Sequence, residues 1–79
     1  MIEIAPSVLA ADTLRIGEEV QRVLDAGADM LHVDIMDAHF VPNLSYGPDL
    51  CRALRRGFPD ISQDVHLMMD NPEHYIEAF

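Results

Sequence analysis

Two stretches decide the architecture: MLHVDIM at residues 30–36 and SQDVHLM at residues 62–68. In the first, Leu31, Val33 and Ile35 alternate with His32 and Asp34; in the second, Val65 and Leu67 alternate with Asp64, His66 and Met68. A period of two belongs to a strand, whose successive side chains leave opposite faces. Each stretch therefore reads as a strand with one apolar and one polar face. A strand sandwiched between two helical layers would be apolar almost throughout. These polar faces must look into something other than a second layer of helices.

Outward from the pair, Ile2 to Leu9 is a short apolar run interrupted by Pro6, which predicts a further strand that ends or bends near the proline. Asp12 then offers an acceptor for a helix start. Ile16, Gly17, Val20, Val23, Leu24 and Gly27 recur at helical spacing, with Gly27 as the stop. After the loop HFVPNLSY, Gly47 and Pro48 mark a second helix, with Leu50, Ala53 and Leu54 as its buried stripe and Gly57 as its end. Asn71 and Pro72 read as the cap and first position of a third helix, whose apolar face is Tyr75, Ile76 and Phe79.

Strand, helix, strand, helix, strand and helix start make consecutive βαβ units and a parallel sheet. With polar residues gathered near the carboxyl ends of the strands, the expected class is α/β, a partial (β/α)8 TIM barrel: three parallel strands, two complete helices and the start of a third. Such barrels use eight strands in about 250 residues. The 79 residues here supply three strands, so residues 1–79 are expected to be an amino-terminal fragment of a single barrel domain.

Composition narrows the function. The chain is 49% apolar and 24% charged, which is globular rather than disordered. Fourteen acidic residues against five arginines and no lysine give a formal net charge of −9, which excludes nucleic acid and anionic membrane surfaces as expected partners. No run approaches the roughly 20 apolar residues of a spanning helix, and Glu3 stands where a signal peptide carries basic residues, so the expected location is the cytoplasm. One cysteine, Cys51, excludes an internal disulfide, and the lack of a CxxC pair excludes a zinc-finger scaffold.

His32 and Asp34 stand two apart on one strand and project the same way; His66 sits at the corresponding end of the other. Adjacent strands lie about 4.8 Å apart, so the three can converge. Two imidazoles and a carboxylate suit a divalent cation such as Zn²⁺, Fe²⁺, Mn²⁺ or Co²⁺. The same pattern also fits two buried neutral histidines hydrogen-bonded to neighbouring carboxylates.

The segments IAPSVLAAD, GADMLHVDIMDAHFVPN, GP and DVHLMMDNPEHYIEAF resemble the amino-terminal third of the ribulose-phosphate 3-epimerase family, (β/α)8-barrel enzymes of the pentose phosphate pathway. The resemblance implies that His32, Asp34 and His66 bind the divalent metal, with a fourth ligand, an aspartate, on a later strand. It implies that Asp34 is also the catalytic acid/base, that Ser7 and His66 contact the substrate, and that Met36 and Met68 line the site. The implied substrate is a phosphorylated ketopentose, and the full-length enzyme is expected to be a homo-oligomer. The allulose-6-phosphate 3-epimerases share the same elements and are the alternative within this chemistry. A noncatalytic, self-associating fragment and a zinc hydrolase are the alternatives outside it.

The implied chemistry accounts for the residue types. Inverting a carbon beside a ketone requires removing its proton and returning one to the opposite face, so two acid/base groups are needed. A cation stabilises the negative charge that develops on the substrate oxygens. One acid/base group and no phosphate site lie in these residues, so the isolated chain is not expected to complete turnover.

The other reactive types have plainer roles. Asp64 lies on the polar face but about 6.6 Å from His66 along the strand, where hydrogen bonding to neighbours is expected. Asp37 opens the loop and is expected to form a turn. Ala38 follows it where the family usually has glycine; a positive φ there would strain the loop. His39 and His74 are expected on the surface, Met69 against a helix and Cys51 as an inert buried thiol. Arg52, Arg55 and Arg56 read as a solvated helix face.

Overall fold

A computed structural model describes residues 2–79. It has two α-helices and two parallel strands: α1, Ile16–Asp25; β1, Met30–Met36; α2, Pro48–Gly57; β2, Ser62–Met68. Single 3₁₀ turns occupy Val8–Ala10, Thr13–Arg15 and Pro72–His74. The observed class is α/β, a βα layer compatible with part of a barrel.

β1 and β2 pair in parallel with Met30 beside Ser62, His32 beside Asp64, Asp34 beside His66 and Met36 beside Met68. This register puts like parity beside like parity. The odd-numbered side chains of β1, Leu31, Val33 and Ile35, are buried under the helices. They meet Val20 of α1 and Cys51 and Leu54 of α2 in one apolar cluster, edged by Ile16, Val23, Leu24, Leu50, Phe58, Val65 and Leu67. The even-numbered side chains are left on the opposite face of the sheet, which carries the site.

Local chemistry explains the element ends. Glu18 and Glu19 lie in the first turn of α1, where carboxylates favour the helix dipole. The helix closes on Gly27 at φ 104°, with its amide on the Leu24 carbonyl at 3.0 Å and the Ala28 amide on the Val23 carbonyl at 3.0 Å. That pair of bonds is a Schellman cap, and its left-handed residue is best served by glycine. In α2, Pro48 occupies the first turn, and Arg55 and Arg56 lie near the carbonyl end.

Four sequence expectations are corrected. The run from Ile2 to Leu9 forms no continuous strand: the Ile4 and Pro6 carbonyls accept from Met30 and His32, but the ladder reduces to one bridge, Ser7 with His32. Pro6 has no amide to donate, and beyond Ser7 the chain turns into Val8–Ala10. Asp12 caps the turn Thr13–Arg15 through the Leu14 amide at 3.1 Å, and α1 starts only at Ile16. In α2, Ala53 is exposed and Cys51 takes its expected place in the buried stripe. The expected third helix is a 3₁₀ turn: Asn71 makes no side-chain cap, Tyr75 and Ile76 are exposed, and Phe79 alone of the three packs on the core.

Candidate metal centre

The site grows from the polar face of β1. His32 and Asp34 leave the same face two residues apart, and the His32 Nε2 comes 3.0 Å from Asp34 Oδ1. The register sets His66 directly beside Asp34, and its Nδ1 lies 3.3 Å from the same oxygen. Both imidazoles thus converge on Oδ1. The other carboxylate oxygen, Oδ2, accepts from the Ser7 hydroxyl at 2.7 Å. Ser7 is brought there by its bridge to His32, and its Oγ also accepts from the Leu9 amide at 3.3 Å.

The remaining nitrogen of His32, Nδ1, meets Asp64 Oδ2 at 2.9 Å. Asp64 is therefore the carboxylate that orients this ring. Donation from Nδ1 leaves Nε2 free to act as a ligand, the arrangement in which an outer carboxylate fixes the tautomer of a metal-binding histidine. The two histidine rings tilt at 54° with centroids 5.9 Å apart, and Met36 and Met68 are neighbours at the upper end of the same two strands.

Charge and hydrogen bonding set the protonation of the cluster. The bond to Asp64 raises the His32 pKa above the ordinary imidazole value against a smaller opposing effect of burial, and the Asp34 charge adds to the rise. Burial pushes Asp34 up, but the Ser7 hydroxyl, the His32 charge and the hydrogen bonds of His32 and His66 outweigh it, so its carboxyl is held below the usual range. His32 is half-buried and His66 exposed, and each has a ring nitrogen beside a carboxylate oxygen.

One nitrogen from each histidine and one oxygen of Asp34 lie within 4.8 Å of one another. Ligands about 2.0–2.2 Å from a common cation are separated from each other by roughly 3 Å or a little more, which the contacts to Asp34 Oδ1 match. The donor set fits a divalent transition-metal ion. Three ligands leave open positions for a further protein group, water or substrate.

At the rim, the Asp37 carboxylate ties two loops together. Oδ1 accepts from the His39 and Phe40 amides, both at 2.8 Å, and Oδ2 accepts from the Asp70 amide, 3.0 Å away beyond β2. These bonds hold the Asp37 carboxyl below its usual range despite an opposing effect of desolvation. His39 and His74 are exposed and outside the cluster, Met69 is buried on the helix side, and burial pushes the Cys51 thiol up into an inert form. Ser45, which no strand or helix period marks in the sequence, contacts the backbone of Asp34 and Met36.

Fold and site together define a class: a parallel βα layer that presents, on the face turned away from its helices, a cluster of two histidines and one carboxylate able to hold a cation. The chain belongs to the ribulose-phosphate 3-epimerase family, whose model matches residues 3–79. It is 48% identical over 79 residues to the ribulose-phosphate 3-epimerase of Bacillus subtilis, covering 100% of this chain and 36% of that protein. The enzyme of the same name from Synechocystis is 50% identical over 78 residues, with 99% of this chain and 34% of the relative covered. That from Rhodobacter capsulatus is 47% identical over 78 residues, covering 99% and 34%. The chain spans about a third of the length of these relatives.

Proposed function

We propose that this chain carries the metal-binding and first acid/base half of a ribulose-phosphate 3-epimerase site, for interconversion of D-ribulose 5-phosphate and D-xylulose 5-phosphate. The observation that carries the reading is the convergence of His32 Nε2 and His66 Nδ1 on one oxygen of Asp34, in a chain that belongs to that family. A divalent cation held by His32, Asp34 and His66 would supply a Lewis acid for the negative charge that develops on the substrate oxygens.

The residues divide the work between the two oxygens of Asp34. Oδ1 faces the imidazoles and serves as the ligand. Oδ2 faces away from them toward Ser7 and is the oxygen suited to take the C3 proton. The Ser7 hydroxyl donates to the ionised Oδ2; once Oδ2 is protonated, that hydroxyl can turn to accept, so the proton has a partner in both states. His66 lies at the same level as Asp34 and is suited to contact the substrate as well as the cation. Met36 and Met68 offer polarizable apolar surface with no competing proton. Return of a proton to the opposite face of C3 needs a second acid/base group, which we assign, with the phosphate site, to parts of the enzyme outside residues 1–79. Cytoplasmic metabolism is the setting this reading implies, and no helix among the described residues is long and apolar enough to cross a membrane.

The test is deuterium incorporation at C3 of ribulose 5-phosphate in D₂O, followed by NMR, with this chain, Zn²⁺ and an Asp34→Asn control. Exchange needs one base and the cation but not the second acid. Incorporation that the control loses supports a working half-site. Equal signal from both chains would remove Asp34 as the base.

A further inference from the structure

Even-numbered residues of β1 turn their main-chain groups toward the N-terminal segment. The Met30 amide donates to the Ile4 carbonyl at 3.3 Å and the His32 amide to the Pro6 carbonyl at 2.9 Å. After Ser7 that segment leaves the sheet for the turn Val8–Ala10. Farther along this edge, at the level where the site is built, the Asp34 carbonyl and the Met36 amide lie beyond that segment.

Ser45 meets both groups there. Its hydroxyl donates to the Asp34 carbonyl at 2.6 Å and accepts from the Met36 amide at 2.9 Å, while its own amide donates to the Met36 carbonyl at 3.4 Å. One side chain thus satisfies two partly buried backbone groups, a donor and an acceptor, that alanine would orphan. Serine is the smallest residue able to do both.

We propose that Ser45 is a positioning residue for Asp34. It pins the backbone of the residue whose carboxylate the imidazoles share, as Ser7 pins its Oδ2. Asp34 is then fixed from both ends, by one serine on its main chain and another on its side chain. The loop 37–47 that carries Ser45 is fastened by the same bonds to the strand end, which couples loop order to carboxylate geometry. This inference rests on reading His32, Asp34 and His66 as the working cluster, and its test is arranged so that the two can fail separately.

The test compares the parent chain with Ser45→Ala and Ser45→Thr. Three readouts are taken: amide exchange along β1, the ¹³Cγ resonance of Asp34 in the metal-free chain, and Co²⁺ binding followed by its visible spectrum. Loss of one hydrogen bond corresponds to about tenfold in exchange. Ser45→Ala is expected to speed exchange at Met36 by about that factor while Leu31 and Val33, which face β2, keep their protection. It should also move the Asp34 resonance, and Ser45→Thr should restore both. Unchanged exchange at Met36, uniform acceleration along the strand, or an Asp34 resonance indifferent to both substitutions would overturn the proposal. Where the parent takes up Co²⁺, Ser45→Ala should weaken it and alter its spectrum. A parent chain that takes up no Co²⁺ sinks the cation-site reading, and the exchange and resonance data then decide on Ser45 alone.

Discussion

His32 lies between two carboxylates, and its titration follows from that position. Asp64 holds Nδ1 and Asp34 holds Nε2, so the protonated ring is stabilised in the folded chain and its pKa is raised. A raised histidine contributes stability that is fully present below the unfolded value and is lost as pH rises through the folded one. Asp34 has the opposite sign: its lowered carboxyl contributes stability that is present above the ordinary carboxylate range and disappears as pH falls through its folded value. These two groups should therefore stabilise the metal-free chain most between the carboxylate range and the ordinary imidazole value, and the His32 share is lost as pH rises through its raised value. In an NMR titration, His32 Cε1–H should have its midpoint above that of free imidazole, and Asp64→Asn should bring it down. A midpoint that Asp64→Asn leaves in place would show that the Nδ1 bond does not hold in solution. Strand period alone placed His32, Asp34, Asp64 and His66 on one face. It could not tell which oxygen each imidazole meets, because that depends on the exact register between strands 32 residues apart in sequence, and two-residue alternation fixes register only to within an even shift.

At the scale of elements, the parts that were legible in sequence are those whose signal is local. The alternation of β1 and β2, the Gly-Pro start of α2 and the Gly27 stop of α1 each depend on a few neighbouring residues, and the structure has them. The N-terminal strand and the last helix depend on partners farther away. Pro6 removes a donor and Ser7 already turns to cap Val8–Ala10, while the segment after Asn71 has too few buried apolar contacts to hold an α-helix. The loop after β1 shows the same division. Asp37 makes the local turn expected of it, but its bond to the Asp70 amide, which joins two loops across the strand pair, is non-local. Ala38 adopts φ 66°, in the left-handed region that costs a Cβ-bearing residue roughly 1–2 kcal/mol. Ala38→Gly should therefore stabilise the chain by about 1 kcal/mol, less the entropy glycine loses on folding, as read by urea denaturation. A neutral or destabilising result would show that the loop relaxes away from this conformation in solution.

For the whole molecule, the balance is between an exposed apolar surface and a large negative charge. Ile2 and Leu14 are 88% and 94% exposed, and Ile4, Phe40, Leu44 and Ile76 also stand largely in solvent. The sheet is two-stranded among the described residues, so the outer edge of β2 presents unpaired main-chain groups. Apolar patches and open edges favour pairing with another chain. The net charge of −9 opposes that pairing when the partner is a second copy. Charge repulsion between copies is screened by salt, whose Debye length falls from about 30 Å at 0.01 M to about 8 Å at 0.15 M, whereas apolar contact is not weakened. Self-association should therefore strengthen with both protein concentration and ionic strength. Sedimentation velocity across a concentration series at those two salt levels reads this directly: a mass that rises with concentration, and rises more steeply at the higher salt, supports apolar association limited by charge. A single monomeric species throughout would mean that the exposed residues are too dispersed to act as one surface. The same series, repeated with Zn²⁺, separates association through the apolar surface from bridging through the site. Only bridging would be lost in a His66→Ala chain, because His66 offers a ligand on the face opposite the helices and takes no part in the apolar cluster.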